Sequence, residues 1–151
     1  MVILDNVRSM HNVGSVFRTA DAFLISGIWL CGYTPRPPHR DINKTALGAT
    51  ETVAWHSAEK TTDAIMQLKL EGYRIFAVEQ VEKSISLHEF SYQPTEKLAV
   101  VFGNEVTGVD SAVLSVCDGS IEIPQYGMKH SLNISVAAGI VMWQLVHNSL
   151  T

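Results

Sequence analysis

The sequence contains three polar clusters whose residue types could bind an anion or position a reacting group. The first is DNVRSMHNVGSVFRTAD, residues 5–21, in which Asn12 stands where a helix N-cap belongs and Arg18 lies one turn beyond Gly14. A helix N-terminus next to a guanidinium group suits phosphate, and a glycine lets a partner approach closely. An ordinary capped helix with a surface arginine would explain the same residues.

The second cluster is LAVVFGNEVTGVD, residues 98–110, which begins as an apolar run. Gly103 is predicted to end a strand, Gly108 permits a second turn, and Glu105 would point into a crevice beyond the sheet. The stretch lacks the GK[ST] of a Walker loop and is not a GxGxxG dinucleotide turn. On its own it is equally consistent with a turn that carries a solvated glutamate.

The third cluster is IEIPQYGMKHSLNIS, residues 121–135, which directly precedes the apolar run VAAGIVMWQL. Pro124 cannot donate to a strand ladder, so the chain is predicted to leave the sheet there. Ser131 and Asn133 then lie two positions apart at the start of a helix. Either residue could simply cap that helix.

The apolar pattern predicts an α/β fold with a mainly parallel sheet and helices on both faces. Predicted strands cover 2–4, 28–30, 74–78, 98–102 and 120–123, with a weaker one at 52–55, and predicted helices cover 13–25, 58–71, 110–117 and 131–148. Asn12, Ser57 and Asp110 are the expected N-caps and Gly72 is the expected C′ glycine. Ligands of such sheets bind beyond the carboxyl ends of strands, which directs attention to the loops after Leu4, Val78, Phe102 and Ile123.

Composition describes an ordinary folded protein of one domain, with 151 residues, 46% hydrophobic residues and a net charge of −4. Positive charge is nevertheless concentrated in residues 1–50, where five Lys/Arg stand against three Asp/Glu. Cys31 and Cys117 are isolated, so neither a metal site nor a disulfide framework is expected. No apolar run approaches the roughly 20 residues of a membrane span and no signal peptide is evident, so a cytoplasmic protein is expected.

Taken together, the three clusters resemble the motifs of one known class of enzymes. The matching stretches are N-V-G-x-x-x-R-T-A at 12–20, F-G-N-E-x-x-G at 102–108 and I-P-x-x-G-x-x-x-S-L-N-x-S at 123–135. They are similar to the three motifs of SPOUT-class RNA methyltransferases, in the TrmH (SpoU-type) 2′-O-ribose branch. Their order and spacing match over nearly the whole chain.

The resemblance implies a single SPOUT catalytic domain over residues 1–151, with a C-terminal trefoil knot and no added N-terminal RNA-binding domain. It implies S-adenosylmethionine as cofactor, contacted by Glu79, Gly103, Ile123, Gln125 and Leu132, although Gln125 stands where the family most often has methionine. The residues that look catalytic by similarity are Asn12, Arg18, Glu105, Ser131 and Asn133. A guanidinium hardly loses a proton, so we interpret Arg18 as a clamp on the phosphate next to the reacting ribose.

The resemblance also implies an RNA partner and a homodimer formed through the first and last helices. The composition and the isolated cysteines predict neither a membrane nor a metal as partner. The expected RNA-binding residues are Arg8, His11, Arg18, Arg36, His39, Arg40, Lys44 and Lys129, with His130 beside them. The lack of an extra domain favours tRNA over rRNA, and both the D-loop guanosine and the anticodon wobble position stay open as targets.

Three other functions compete with this hypothesis. A catalytically silent SPOUT RNA-binding module is the main alternative, although such a module has no physical need to keep Asn12, Arg18, Ser131 and Asn133. An enzyme that methylates a base nitrogen would usually have an aspartate in the third cluster, and residues 124–135 contain none. A nucleotide-binding oxidoreductase would need a glycine-rich first turn, which is missing.

Overall fold

The computed structural model describes residues 1–129 and 131–150, with the side chains of 149 and 150 left aside. Seven strands form one sheet in the order β3-β2-β1-β6-β4-β7-β5. They are β1 Val2–Asp5, β2 Ile28–Cys31, β3 Trp55–Ala58, β4 Tyr73–Val78, β5 Ile85–Ser86, β6 Lys97–Phe102 and β7 Gly119–Glu122. Every strand pair in the described residues is parallel, so the α/β class is confirmed and the sheet is more uniform than the mainly parallel one expected.

The central strands are recognisable in the sequence because both of their faces are buried. All four residues of β1 and of β2 are buried, and so are the last four of β6. A parallel strand covered on both sides is a continuous apolar run and does not alternate. Val2 stands beside Ile28 on one side and Val100 on the other, which brings the carboxyl ends of these strands to the same edge.

In the part of the chain that the structure describes, six α-helices cover the two faces of the sheet. One apolar cluster joins the sheet to α1 Met10–Ala22, α2 Arg40–Ala46, α3 Ala49–Thr52 and α6 Ile134–Leu150. A second cluster on the opposite face joins it to α4 Thr61–Leu70 and α5 Ser111–Val116. The prediction of helices on both faces is therefore confirmed.

The helix boundaries correct several local predictions. The cap of α1 is Ser9, whose hydroxyl accepts from the amide of Asn12, so Asn12 is not the N-cap. Ser57 is not a cap either, because it lies within β3, and α4 begins after Lys60. Asp110 does cap α5, and Gly72 follows the end of α4 with φ +92.

Four short elements, α2, α3, β3 and β5, differ from the prediction. Residues predicted as a strand at 52–55 instead end α3 and begin β3, an edge strand whose two middle residues are exposed. Helix α2 directly follows the TPRPPH loop, where no helix was expected, and the two-residue β5 was also missed. The last helix begins at Ile134 and not at Ser131.

The C-terminal helix closes the first face of the sheet. It packs on α1, where the rings of Phe23 and Trp143 meet edge to face at 5.9 Å between centroids. Tyr92, in the connection from β5 to β6, donates a hydrogen bond of 2.7 Å to the carbonyl of Leu145. Within residues 1–129 and 131–150, no helix has the length and apolar character needed to cross a membrane.

Candidate active site

A cavity of about 670 Å³ lies beyond the carboxyl ends of β4, β6 and β7. Its walls come from the loops after those strands and from the start of α6. All five residues expected to contact the cofactor line it, together with three of the expected catalytic residues: Glu79, Gly103, Ile123, Gln125, Leu132, Glu105, Ser131 and Asn133. Residues up to 54 positions apart in the sequence are thus gathered at one edge, where ligands of parallel sheets bind.

The loop after β6 is a tight turn that only glycine permits at two positions. The amide and carbonyl of Asn104 pair with those of Gly108 at 3.0 and 2.9 Å. A Cβ on Gly103 would overlap the backbone of Gly108 and Val109. Gly108 has φ +73, and a Cβ there would overlap the carboxylate of Glu79. The glycines of this motif therefore serve the fold of the loop itself.

Glu79 connects the end of β4 to this loop. Its Oε2 atom accepts a hydrogen bond of 2.9 Å from the amide of Val109. The side chain lies in the wall of the cavity, half-buried, with one oxygen already engaged. Glu79 therefore holds the loop after β6 in place, whereas the sequence had predicted only a cofactor contact for this residue.

Glu105 joins the cavity to the start of α1. Its carboxylate accepts from the amide of Arg8 at 3.1 and 3.2 Å and from the amide of Ser9 at 3.1 Å. These amides precede the helix and would otherwise face solvent, so a carboxylate suits the position. The expectation that Glu105 points into the crevice agrees with its place in the cavity wall, and its oxygens also hold the chain before α1.

The third cluster forms the start of α6 as well as one wall of the cavity. The Oδ1 atom of Asn133 accepts from the amide of Ser135 at 2.8 Å and from its hydroxyl at 2.6 Å, which is an N-cap. Ser131 is exposed in the cavity wall. His130, expected to face the RNA, lies outside the described residues.

Asn12 and Arg18 lie on α1 and do not line the cavity. Asn12 is half-buried and Arg18 is exposed, on the side of α1 away from its buried stripe, as expected. Among the residues that the structure describes, the guanidinium of Arg18 has no hydrogen-bond or ion-pair partner. Glu105 is the residue that connects the cavity to the helix on which they stand.

The expected RNA-binding residues occupy three segments. Arg8, His11 and Arg18 belong to α1 or the turn before it, and Lys129 is exposed in the loop after β7. The others lie on α2 or the loop before it: Arg36, His39, Arg40 and Lys44. Helices α1 and α2 are in contact, since the hydroxyl of Thr45 donates to the carbonyl of His11 at 2.8 Å.

Sequence reasoning missed Asn104 and Tyr33, which link the cavity loop to the chain after β1 and β2. Asn104 is only 9% exposed, and its Nδ2 group donates to the carbonyl of Asn6 and to the hydroxyl of Tyr33, both at 2.9 Å. Its Oδ1 atom accepts from the two amides that follow Glu105. The signal was a polar amide directly beyond a buried strand, a position that requires hydrogen-bond partners.

The cavity fits a ligand that is partly apolar and partly charged. Its volume lies in the range of pockets for small molecules, and its walls combine apolar residues such as Val78, Phe102 and Leu132 with carboxylates. In the described part of the chain, no group of three or more His, Cys, Asp or Glu could hold a metal ion.

Comparison with known proteins identifies the family. The SpoU rRNA Methylase family matches residues 1–143 of this chain. This chain belongs to the SpoU rRNA methylase family. It is therefore an RNA 2′-O-ribose methyltransferase of the SpoU type, and the resemblance drawn from the three motifs is confirmed.

Individual SpoU relatives agree over most of the chain. The tRNA (guanosine(18)-2′-O)-methyltransferase of Aquifex aeolicus is 31% identical over 145 residues, which are 95% of this chain and 67% of that protein. The AdoMet-bound rRNA methyltransferase of Sinorhizobium meliloti has a TM-score of 0.90 at 29% identity, with 99% of this chain and 56% of that chain covered. A structure described as giving insights into the 2-OH methylation of C/U34 on tRNA has a TM-score of 0.84 at 25% identity, with 99% of this chain and 94% of that chain covered.

Proposed function

We propose that this SpoU-family chain transfers a methyl group from S-adenosylmethionine to a ribose 2′-hydroxyl of tRNA. The observation that carries the proposal is the single cavity that gathers all five expected cofactor residues with Glu105, Ser131 and Asn133. The cofactor assignment is supported by the S. meliloti relative, which was solved with AdoMet bound. The tRNA assignment is supported by the A. aeolicus relative and by the structure on C/U34 methylation.

Bound S-adenosylmethionine would supply an electrophilic methyl group, so the residues of this chain chiefly have to align the ribose with it. Ser131 and Asn133, at the start of α6, would hold the cofactor and the ribose against the wall of the cavity. Glu105 would keep the start of α1 next to that wall through the amides of Arg8 and Ser9. Glu79 and Gly103 would shape the loop on the cofactor side.

Arg18 would bind the phosphate next to the reacting ribose, with Asn12 positioning the sugar. The guanidinium is exposed and has no other partner in the described residues, so it is available for an anion. A cation held at that phosphate orients the ribose and stabilises the negative charge that develops as its hydroxyl proton leaves. The exposed basic residues of α1, α2 and the loop before α2 would extend this contact along the RNA backbone.

We further propose a homodimer and a knotted C-terminus. Three apolar side chains of α6 are strongly exposed, Val136 at 51%, Ile140 at 39% and Trp143 at 50%, and a second copy would cover them. The knot is supported by β7, which lies between β4 and β5, and by the contact of α6 with the β5–β6 connection through Tyr92 and Leu145. An experimental structure that traces residues 123–133 without a break would test the threading.

The deciding experiment measures transfer of labelled methyl from S-adenosylmethionine to unmodified tRNA and, separately, to unmodified rRNA, followed by nucleoside analysis. A 2′-O-methylated nucleoside from tRNA is the expected product. Transcripts in which guanosine 18 or nucleotide 34 carries a 2′-deoxy sugar then distinguish the two positions named for the relatives. A product from rRNA alone would favour an rRNA enzyme, in agreement with the S. meliloti relative. RNA binding without transfer to any RNA would favour the silent module.

A further inference from the structure

A second cavity region lies on the flank of the molecule, beside α2 and the edge strand β3. It consists of two adjoining cavities of about 440 and 580 Å³, which share Pro38 and Asn43. None of the residues expected to contact the cofactor or to act in catalysis lines either of them. Cofactor binding and catalysis therefore leave this region without a role, and only its basic residues have been assigned a contact, with the RNA backbone.

The first of these cavities has walls suited to a flat aromatic ring. Trp55 is half-buried there, and Pro37 and Pro38 belong to the same lining. Unpaired bases stack on such aromatic side chains in RNA-binding proteins, because every base has a π face. The polar groups in this lining include the amide of Asn43 and the carboxylate of Glu51, which are able to bind the edge of a base.

The second cavity is lined by cations suited to a phosphate. His39, Arg40 and Lys44 contribute to it, and Arg40 and Lys44 are well exposed. Asp41 lies within 3.8 Å of Arg40 and 3.5 Å of Lys44, and such surface ion pairs are weak enough for a phosphate to compete. Arg36, in the loop before α2, adds a further positive charge beside the edge strand, where it donates to the hydroxyl of Ser57.

The position of the region sets which nucleotide it would bind. Strand β3 stands three places from β6 in the sheet, a separation of about 15 Å at the usual strand spacing. The ligand is consequently not the nucleotide whose ribose reacts at the end of β6. Helix α2 contacts α1, which is the helix that carries Arg18.

We propose that an unpaired nucleotide of the substrate RNA, separate from the methylated one, places its base in the Trp55 cavity and its phosphate at Arg40 and Lys44. This inference rests on the proposed function in taking RNA as the ligand. Glu51 accepts hydrogen bonds only, so it favours guanine, which presents the adjacent donors N1–H and the N2 amino group, over uracil, which presents N3–H alone. The subsite would select RNAs that have an unpaired nucleotide at this distance from the target.

The test compares Trp55→Leu, which removes the aromatic ring, with Trp55→Tyr, which keeps one. Trp55→Leu is expected to raise the KM for RNA about 5- to 100-fold, with kcat and the Kd for S-adenosylmethionine unchanged. Trp55→Tyr is expected to have a KM for RNA close to that of the wild type, because it keeps an aromatic ring. Tyr73→Leu is the matched control, because Tyr73 is also a half-buried aromatic residue at the first position of a strand. An unchanged KM in Trp55→Leu would overturn the proposal.

A binding measurement tests the subsite without catalysis. Bound RNA is expected to quench the fluorescence of Trp55, which is the part of the tryptophan emission that is missing in Trp55→Tyr. The double variant Arg40→Gln/Lys44→Gln is expected to release about two fewer ions on binding RNA, seen as a shallower dependence of the RNA affinity on salt concentration. Trp55 fluorescence that does not respond to a bound RNA would contradict the subsite. Failure of the wild-type protein to methylate any RNA would contradict the proposed function alone, since the quench reports RNA binding directly.

Discussion

At the scale of single residues, Asn133 serves the helix and the site at the same time. Its Oδ1 atom caps α6 through the amide and hydroxyl of Ser135, while the residue also forms part of the cavity wall. The cap fixes the side chain, which is the kind of support that holds a site to its productive geometry. Structural and functional interpretations of Asn133 are therefore compatible.

Arg18 gives the most direct test of the phosphate clamp. Arg18→Lys keeps the charge but loses the bidentate geometry, so we expect kcat/KM for RNA to fall about 10- to 100-fold while the Kd for S-adenosylmethionine stays the same. Arg74→Lys is the matched control. Arg74 is also exposed, but it is the second residue of β4, pairs with Glu96 and does not line the cavity. Full activity of Arg18→Lys would contradict the clamp.

The two thiols are expected to be unreactive in the folded protein. Burial raises the pKa of Cys31 to about 12 and that of Cys117 to about 11. A raised thiol pKa means less thiolate, so at pH 8 about one Cys31 in ten thousand is ionised, against roughly a quarter of ordinary thiols. Alkylation should be at least about 100-fold slower than in the urea-unfolded chain and should still rise with pH between 8 and 10. A rate that levels off at about pH 9.5 would show an ordinary thiol.

At the scale of elements, the cap of α1 and the expected catalytic role belong to different residues, Ser9 and Asn12. Ser9→Ala removes the cap and should lower the free energy of unfolding by about 1 kcal/mol, with activity retained below the melting temperature. Asn12→Ala should change stability by less than about 0.5 kcal/mol but reduce methyl transfer. Thermal melts and methyl-transfer rates of the two variants test this prediction. A destabilised Asn12→Ala together with an unchanged stability of Ser9→Ala would show that Asn12 is the cap.

The contact between α1 and α2 depends on a missing side chain at Gly14. A Cβ there would overlap the hydroxyl of Thr45 and the carbonyl of Ile42, so Gly14→Ala should destabilise the fold by about 1–3 kcal/mol despite its better helix propensity. Ser15→Ala, at the next and half-exposed position, should change the free energy of unfolding by less than about 0.5 kcal/mol. Urea unfolding of both variants provides the measurement, and a stabilised Gly14→Ala would contradict the close approach of α2.

At the scale of the whole molecule, the exposed apolar face of α6 determines the expected assembly. Val136→Glu should convert a dimer to a monomer in sedimentation experiments, because a carboxylate buried in an apolar interface has no partner. Leu70→Glu is the matched control, since Leu70 is 88% exposed at the end of α4 on the opposite face of the sheet. A wild-type chain that sediments as a monomer at micromolar concentration would contradict the homodimer.

The central strands of the fold were predictable because buried strands appear in the sequence as runs of apolar residues. Strands β1, β2, β4 and β6 contain apolar runs that are buried under helices, and these strands and β7 were each predicted to within one or two residues. Elements that pack weakly were not predictable in the same way. The edge strand β3 has two exposed middle residues, and α2 owes its place to the glycine of another helix.

The site shows the same division. The loops that line the cavity were predictable because parallel strands end at the same edge of the sheet, and their individual residues were assigned from the resemblance to the SpoU motifs. Their hydrogen bonds were not found, because each joins segments far apart in sequence. The amide of Ser9 reaches Glu105 across 96 positions, and Asn104 reaches Tyr33 across 71.

By itself, the sequence determined the α/β class, the central strands, the SpoU family and the residues gathered at the cavity. Burial, turn positions and motif order depend on residues that are close together or ordered along the chain, so they can be predicted from the sequence pattern. Only the tertiary structure decided that Ser9 caps α1, that Asn104 links the cavity loop to Tyr33, and that Trp55 lines a second cavity together with Pro37 and Pro38. Such contacts depend on how helices pack on the sheet, and two serines or two tryptophans with the same local pattern can meet different neighbours there.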